Sequence, residues 1–192
     1  MGILCPFFVA VGADCAHFLC QEHDIMKYTR YIVQAAVIAA LYAALTHLQN
    51  LLLPGSATWM IQMRVSEALC VLAFFTPAAI PGLALGCLLF NLTFAATLPL
   101  DWIVGTLASY LAALVMWNCR NVKVGNLPVL GLLMPAVTNA VLVGWELSVY
   151  IGGGFLVNAV YVAIGEAAVM LVLGTALYLA IRSRHLDARL AL

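Results

Sequence analysis

Four carboxylates, Glu67, Asp101, Glu146 and Glu166, sit in sequence that is otherwise strongly apolar. Near them stand the amides Gln62, Asn91 and Asn139 and one guanidinium, Arg64. Ionised groups in hydrocarbon are costly, so a membrane protein that keeps them usually uses them. Laid out on helices, all four acids fall at or above the middle of the membrane on one side. That places a polar cavity open to that side.

Each candidate has a structural reading beside the functional one. Arg64 and Glu67 are three apart and share a helix face, so they fit either a self-satisfied ion pair or a cavity wall. Gln62 adds a third polar group, and a broken helix at membrane depth is tolerated where it lines a cavity, which favours the wall. Asp101 begins a helix, where the dipole alone favours an acid. Asn139 and Glu146 are seven apart, two turns along one face, although Glu146 could also reach the outer interface. Glu166 lies roughly 16–18 Å into its helix, with no Lys or Arg nearby in that helix to neutralise it. It is the strongest single site residue.

Enzyme signatures are absent: no HExxH, GxSxG or Walker A loop occurs. Gly152, Gly153 and Gly154 read as a turn. His17, His23, His47 and His185 all fall outside the depth of a span. Cys15, His17, Cys20 and His23 match no common zinc spacing. The six cysteines contain no CxxC pair, and Cys70, Cys87 and Cys119 read as small buried residues. No enzyme activity, metal or cofactor is expected.

The elements that must position these residues are membrane helices. The chain of 192 residues is 66% hydrophobic and 8% charged, against about 25% charge in a soluble domain. A net charge of zero offers nothing to nucleic acid, which calls for a basic surface. No Asp, Glu, Lys or Arg occurs from Tyr31 to Met63 or from Ala68 to Leu100. At about 20 apolar residues per span, the length allows about six spans and no soluble catalytic domain. An ATPase, if one drives transport, must be a separate chain.

The expected fold is an all-α integral membrane protein with six transmembrane helices in a multi-pass bundle. The first runs from Tyr28 to about Gln49. A short one, from about Met63 to Thr76, is followed by the breakers Pro77, Pro81 and Gly82 and a third helix reaching about Leu98. The fourth spans Asp101 to about Cys119, the fifth Pro128 to about Ile151, and the sixth Phe155 to about Ile181. Seven of the eight Lys and Arg then fall on the side of both termini, which the positive-inside rule makes cytoplasmic. Arg64 is the exception. Residues 1–25 lack the basic start of a signal peptide and are expected to be a leader, disordered or a mis-called start, ahead of a membrane domain over 26–192.

The first helix carries two small-residue stripes, Ala35, Ala39, Ala43 and Ala36, Ala40, Ala44. Such spacing lets another helix approach closely, inside the subunit or from a partner.

The run Gln62-Met63-Arg64-Val65-Ser66-Glu67-Ala68-Leu69 resembles the Q-x-R-x-S-E-A-L signature of the queuosine-precursor transporters, substrate-binding S components of energy-coupling factor transporters. Pro81-Gly82-Leu83, Gly86-Cys87 and Asn91 fit the next segment. Asp101 with Gly105-Thr106, Pro135 with Asn139, Gly144 with Glu146, and Gly165-Glu166 fit the rest, over about residues 28–181. The resemblance implies a bacterial cell-membrane protein that captures a 7-deazaguanine, such as the aminomethyl base or queuine. It would dock on a T component carrying two ATPase subunits, with Ala35, Ala39 and Ala43 in the docking face. The connector from Leu51 to Ile61, with Trp59, would close over the ligand, and Trp59 or Tyr42 would stack on its ring.

A carboxylate can accept the adjacent N–H donors of a 7-deazaguanine. A second would pair the aminomethyl cation, and Gln62, Asn91 and Asn139 would serve the ring carbonyl. The alternatives are an S component for another vitamin or base, or a self-sufficient proton-coupled transporter.

Overall fold

The absence of charge over long stretches forces the backbone to satisfy its own hydrogen bonds, and helices result. The computed structural model describes residues 7–54, 56, 63–94 and 99–190, with side chains from Ile25 onward except that of Arg189. Among them there is no strand, only an isolated bridge between Val124 and Leu127. The chain is an all-α membrane protein of six helical segments. These are α1 (Phe7–Leu52), a 3-10 helix (Val65–Phe74), α2 (Ala79–Thr93), α3 (Asp101–Asn118), α4 (Val129–Leu132) leading into α5 (Met134–Tyr150), and α6 (Phe155–Val169). The last continues through a π segment (Met170–Gly174) into α7 (Thr175–Ser183), and a short α8 (Asp187–Leu190) follows. Ile25–Leu52, Val129–Tyr150 and Phe155–Ser183 are long and apolar enough to cross a membrane. α1 is continuous across residue 25, the expected boundary between leader and membrane domain.

Two elements differ from expectation. The short second helix is 3-10 along its ten residues. At about 2.0 Å rise per residue it reaches roughly 20 Å, where an α-helix of that length would reach roughly 15 Å. Its side chains at i and i+3 eclipse. Glu67, Cys70 and Ala73 therefore stack in one row, and all three are buried. Thr76 ends the segment: its hydroxyl donates to Gln34 Oε1 at 2.8 Å and accepts from the Ala78 N–H at 3.3 Å, while Pro77 supplies no N–H of its own. The third helix stops at Thr93, because Phe94 turns extended; the expected continuation to Leu98 falls outside the described residues.

Backbone proximity, rather than bulk, holds α1 to α2. A Cβ on Gly82 would fall 2.8 Å from the carbonyl oxygen of Ala35, and one on Gly86 would fall 2.6 Å from Tyr42 Cβ and 2.9 Å from the Ala39 carbonyl oxygen. Two glycines four apart thus cradle the face that carries Ala35, Ile38, Ala39 and Tyr42, all buried. This corrects the expectation for Ala35 and Ala39. They pack inside the subunit and present no surface to a partner. Ala43 is half-buried, and Ala36, Ala40 and Ala44 are the exposed stripe.

The main apolar core gathers Tyr42, Val71, Phe74, Leu83, Met116, Leu132, Met170 and Tyr178. It joins the 3-10 and π segments to α1, α2, α3, α4 and α7. Large exposed apolar side chains such as Ile32, Leu89, Ile103, Leu156 and Val172 cover the outside, as a lipid-facing surface requires.

Gly86→Val is expected to lower the thermal midpoint of the detergent-purified protein by the cost of overpacking, about 1–3 kcal/mol. Leu85→Val, on the exposed side of the same helix, should leave it nearly unchanged. Equal midpoints for the two variants would contradict the close α1–α2 contact.

Candidate functional site

The four acids come from four elements and meet inside the bundle. Glu67 belongs to the 3-10 helix, Asp101 opens α3, Glu146 lies on α5 and Glu166 on α6. Glu67, Glu146 and Glu166 are each 1% exposed, and Asp101 is 5% exposed. Arg64 is buried among them, within electrostatic reach of Tyr42, Asp101, Cys87 and Glu67. Among the described residues it is the one buried cation facing four buried acids.

Glu67 is fully engaged by the protein. The Tyr42 hydroxyl donates to its Oε1 at 2.5 Å, and the Cys70 thiol donates to its Oε2 at 3.1 Å. Tyr42, expected as a stacking face, therefore uses its hydroxyl to hold an acid. The 3-10 geometry supplies Cys70, one turn along from Glu67. One further layer extends this anchor: the Thr46 hydroxyl donates to the Tyr42 carbonyl oxygen at 2.8 Å and is hydrogen-bonded to the Ser66 hydroxyl at 2.6 Å.

Glu166 is placed differently. It lies near Glu67, Arg64 and Asn139, yet neither of its carboxylate oxygens has a hydrogen-bond partner among the described residues. Glu146 lies beside Asp101, with Arg64 in reach. Both oxygens of Glu146 and Oδ1 of Asp101 likewise have no partner there. Like charges held together repel, and buried acceptors without donors carry a desolvation penalty. The described residues leave these acceptors unmet.

Asn91 fixes the end of the cluster where α3 begins. Its Nδ2 donates to the Asp101 carbonyl oxygen at 2.7 Å and approaches Cys87 Sγ at 3.6 Å. This pins the start of α3 to α2. Arg64 Nη1 approaches the same sulfur at 3.8 Å, and its guanidinium lies 6.0 Å from the centre of the Phe90 ring. Gly105 leaves the room: a Cβ there would fall 3.0 Å from Asn91 Nδ2 and 3.3 Å from Asp101 Oδ1.

Helical rise separates two levels. Tyr42 lies roughly 15 Å below the end of α1 at Leu52, and Glu166 roughly 17 Å below the start of α6. Glu146 lies only roughly 6 Å from the end of α5, and Asp101 is at the start of α3. Glu67 and Glu166 therefore form a deep group, and Asp101 and Glu146 a shallow one.

The structure thus brings together Tyr42, Arg64, Glu67, Asn91, Asp101, Asn139, Glu146 and Glu166 from the sequence candidates. Gln62 and Trp59 lie outside the described residues. Cys70 and Cys87 were not among the candidates; a cysteine in an apolar run looks like core, and only the i, i+3 stacking of a 3-10 helix would have pointed to Cys70. No group of three or more His, Cys, Asp or Glu suited to a metal ion occurs among the described residues.

Tyr42→Phe removes the donor from a buried carboxylate oxygen. It should cost about 1–3 kcal/mol of stability, seen as a lowered thermal midpoint, while Tyr110→Phe on the exposed side of α3 should not. An unchanged midpoint for Tyr42→Phe would mean that Glu67 has no need of that hydroxyl.

A scan against family models matches residues 32–183 to the QueT transporter family. Comparisons with curated proteins and with solved structures found no match. The matched span includes all eight of the assembled site residues, and the chain belongs to the QueT transporter family.

Proposed function

We propose that this chain is the substrate-capturing S component of an energy-coupling factor transporter and that its ligand is a queuosine precursor, a 7-deazaguanine. The observation that carries the reading is Glu166, buried to 1% exposure with both carboxylate oxygens lacking a partner. A 7-deazaguanine offers adjacent N–H donors on its Watson–Crick edge, and one carboxylate accepts two such bonds at once. Hydrogen bonds to a charged acceptor are the strong ones. Asn139, beside Glu166, would reach the ring carbonyl or a ring nitrogen. Arg64 orients the acids and stays clear of a cationic ligand.

In this reading both termini are cytoplasmic, and the ligand enters from outside at the Asp101–Glu146 end. The chain works as a multi-pass protein of the bacterial cell membrane and performs no catalysis. Import is driven by a separate T component with two ATPase subunits. The exposed Ala36 and Ala40 on α1 are the small-residue surface available to that partner, since Ala35 and Ala39 are occupied by α2.

Calorimetry on the detergent-purified chain tests the substrate class, with the aminomethyl deazaguanine, queuine and guanine titrated side by side. Tight binding of one deazapurine and weak binding of guanine is the expected result. Glu166→Gln should weaken that binding by about tenfold or more, by exchanging a charged acceptor for an amide that is half donor. No binding of any deazapurine by the wild-type chain would reject the substrate, and near-normal binding by Glu166→Gln would remove Glu166 from the site. Uptake driven by a proton gradient in vesicles holding this chain alone would replace the S-component reading with that of a self-sufficient transporter.

A further inference from the structure

The shallow pair of acids has no counterpart in the requirements of the ring edge. Glu166 can serve the Watson–Crick donors alone, and Glu67 is occupied by Tyr42 and Cys70. Asp101 and Glu146 nonetheless lie side by side near the end of the bundle, roughly 10 Å higher by helical rise. Glu146 is 1% exposed with neither oxygen partnered, and Asp101 keeps one buried oxygen unpartnered. Arg64 lies within electrostatic reach of both Asp101 and Glu146, but its one charge is shared with Tyr42, Cys87 and Glu67. When both are ionised, two carboxylates side by side repel each other, and a positive group between them removes the repulsion and supplies donors.

We propose that Asp101 and Glu146 form a separate subsite that reads the substituent of the ligand and takes a primary ammonium. The chain therefore selects an aminomethyl-substituted base over a neutral analogue of the same ring. This rests on the deazaguanine reading above and deepens it, by assigning the two ends of one ligand to two acidic levels. The ring edge and the five-membered-ring substituent leave a 7-deazaguanine from opposite ends, as the deep and shallow groups do here. Asn91 is the positioning residue of the subsite, because its bond to the Asp101 carbonyl fixes where α3 begins. Gly105 lets the Asn91 amide lie close against α3 beside Asp101, where a Cβ would fall 3.0 Å from Asn91 Nδ2.

The test compares the aminomethyl deazaguanine with the nitrile-bearing deazaguanine, which has the same ring and no positive charge. Both are titrated into the wild-type chain, Glu146→Gln and Asp101→Asn. The wild type is expected to prefer the aminomethyl form by about tenfold or more, the range of a charge-assisted bond. Each substitution should remove most of that preference and leave the nitrile affinity within about threefold, which also shows that the variant is folded. Three results would overturn the subsite: a wild type without preference, a preference that survives both substitutions, or equal losses for the two ligands. A wild type that binds neither base takes down the substrate reading and the subsite together. Binding of both with equal strength takes down only the subsite.

Discussion

Everything in this chain is arranged around the difficulty of keeping four carboxylates away from lipid. Taking even one ionised carboxylate out of water is expensive, and attraction to a partner repays this only when the remaining lone pairs are also met. The protein meets the cost unevenly. Glu67 receives a hydroxyl and a thiol, while Glu146 and Glu166 receive no hydrogen bond from the described residues. That asymmetry separates an acid that belongs to the scaffold from acids that the scaffold leaves without a hydrogen bond. It also explains why the acids come from four different helical segments: no single element could surround them.

The enclosure depends on close backbone approach. Gly82 and Gly86 bring α2 onto α1, and Gly144 brings α5 against Ala159 of α6, where an added Cβ would lie 2.8 Å from the Ala159 Cα. Small residues give the packing that lipid-soluble helices cannot obtain from a hydrophobic driving force. With Tyr42 packed against Gly86 and hydrogen-bonded to Glu67, the α1–α2 contact and the position of the deep acid become one problem. A change in either is felt by the other.

Much of this was legible in the sequence, for stated reasons. Long runs without charge located the helices, and Pro77, the glycine triplet and Asp101 marked their ends within a few residues. The conspicuous cost of acids in apolar sequence singled out Glu67, Asp101, Glu146 and Glu166, and the structure brings all four together. What escaped was whatever depends on helix type or on which face meets which neighbour. An alanine stripe reads the same whether it packs inside or outside, and the family resemblance alone points Ala35 and Ala39 toward a partner, whereas α2 covers them. Nothing in Val65–Phe74 announces a 3-10 helix, and without it the contact from Cys70 to Glu67 has no spacing to suggest it. The aromatic ring of Tyr42 suggested stacking, whereas its hydroxyl proved the more consequential part.

The π segment at Met170–Gly174 settles a matter of phase. An α-helix advances about 100° per residue, so in an uninterrupted helix the inward stripe begun by Val162, Glu166 and Val169 would drift around the cylinder. Gly174, Tyr178 and Ile181 would then sit roughly 100–160° away from Val162, facing lipid or a neighbouring flank. Instead Tyr178 and Ile181 are buried with the core that includes Phe74. The wider turn holds an extra residue and sets the stripe back by about one step. One continuous rod can thus present an acid to the polar cluster in its first half and a tyrosine to an oily floor in its second half, along a single line. The floor and the polar cluster are kept in register by a winding defect, one turn along from Glu166.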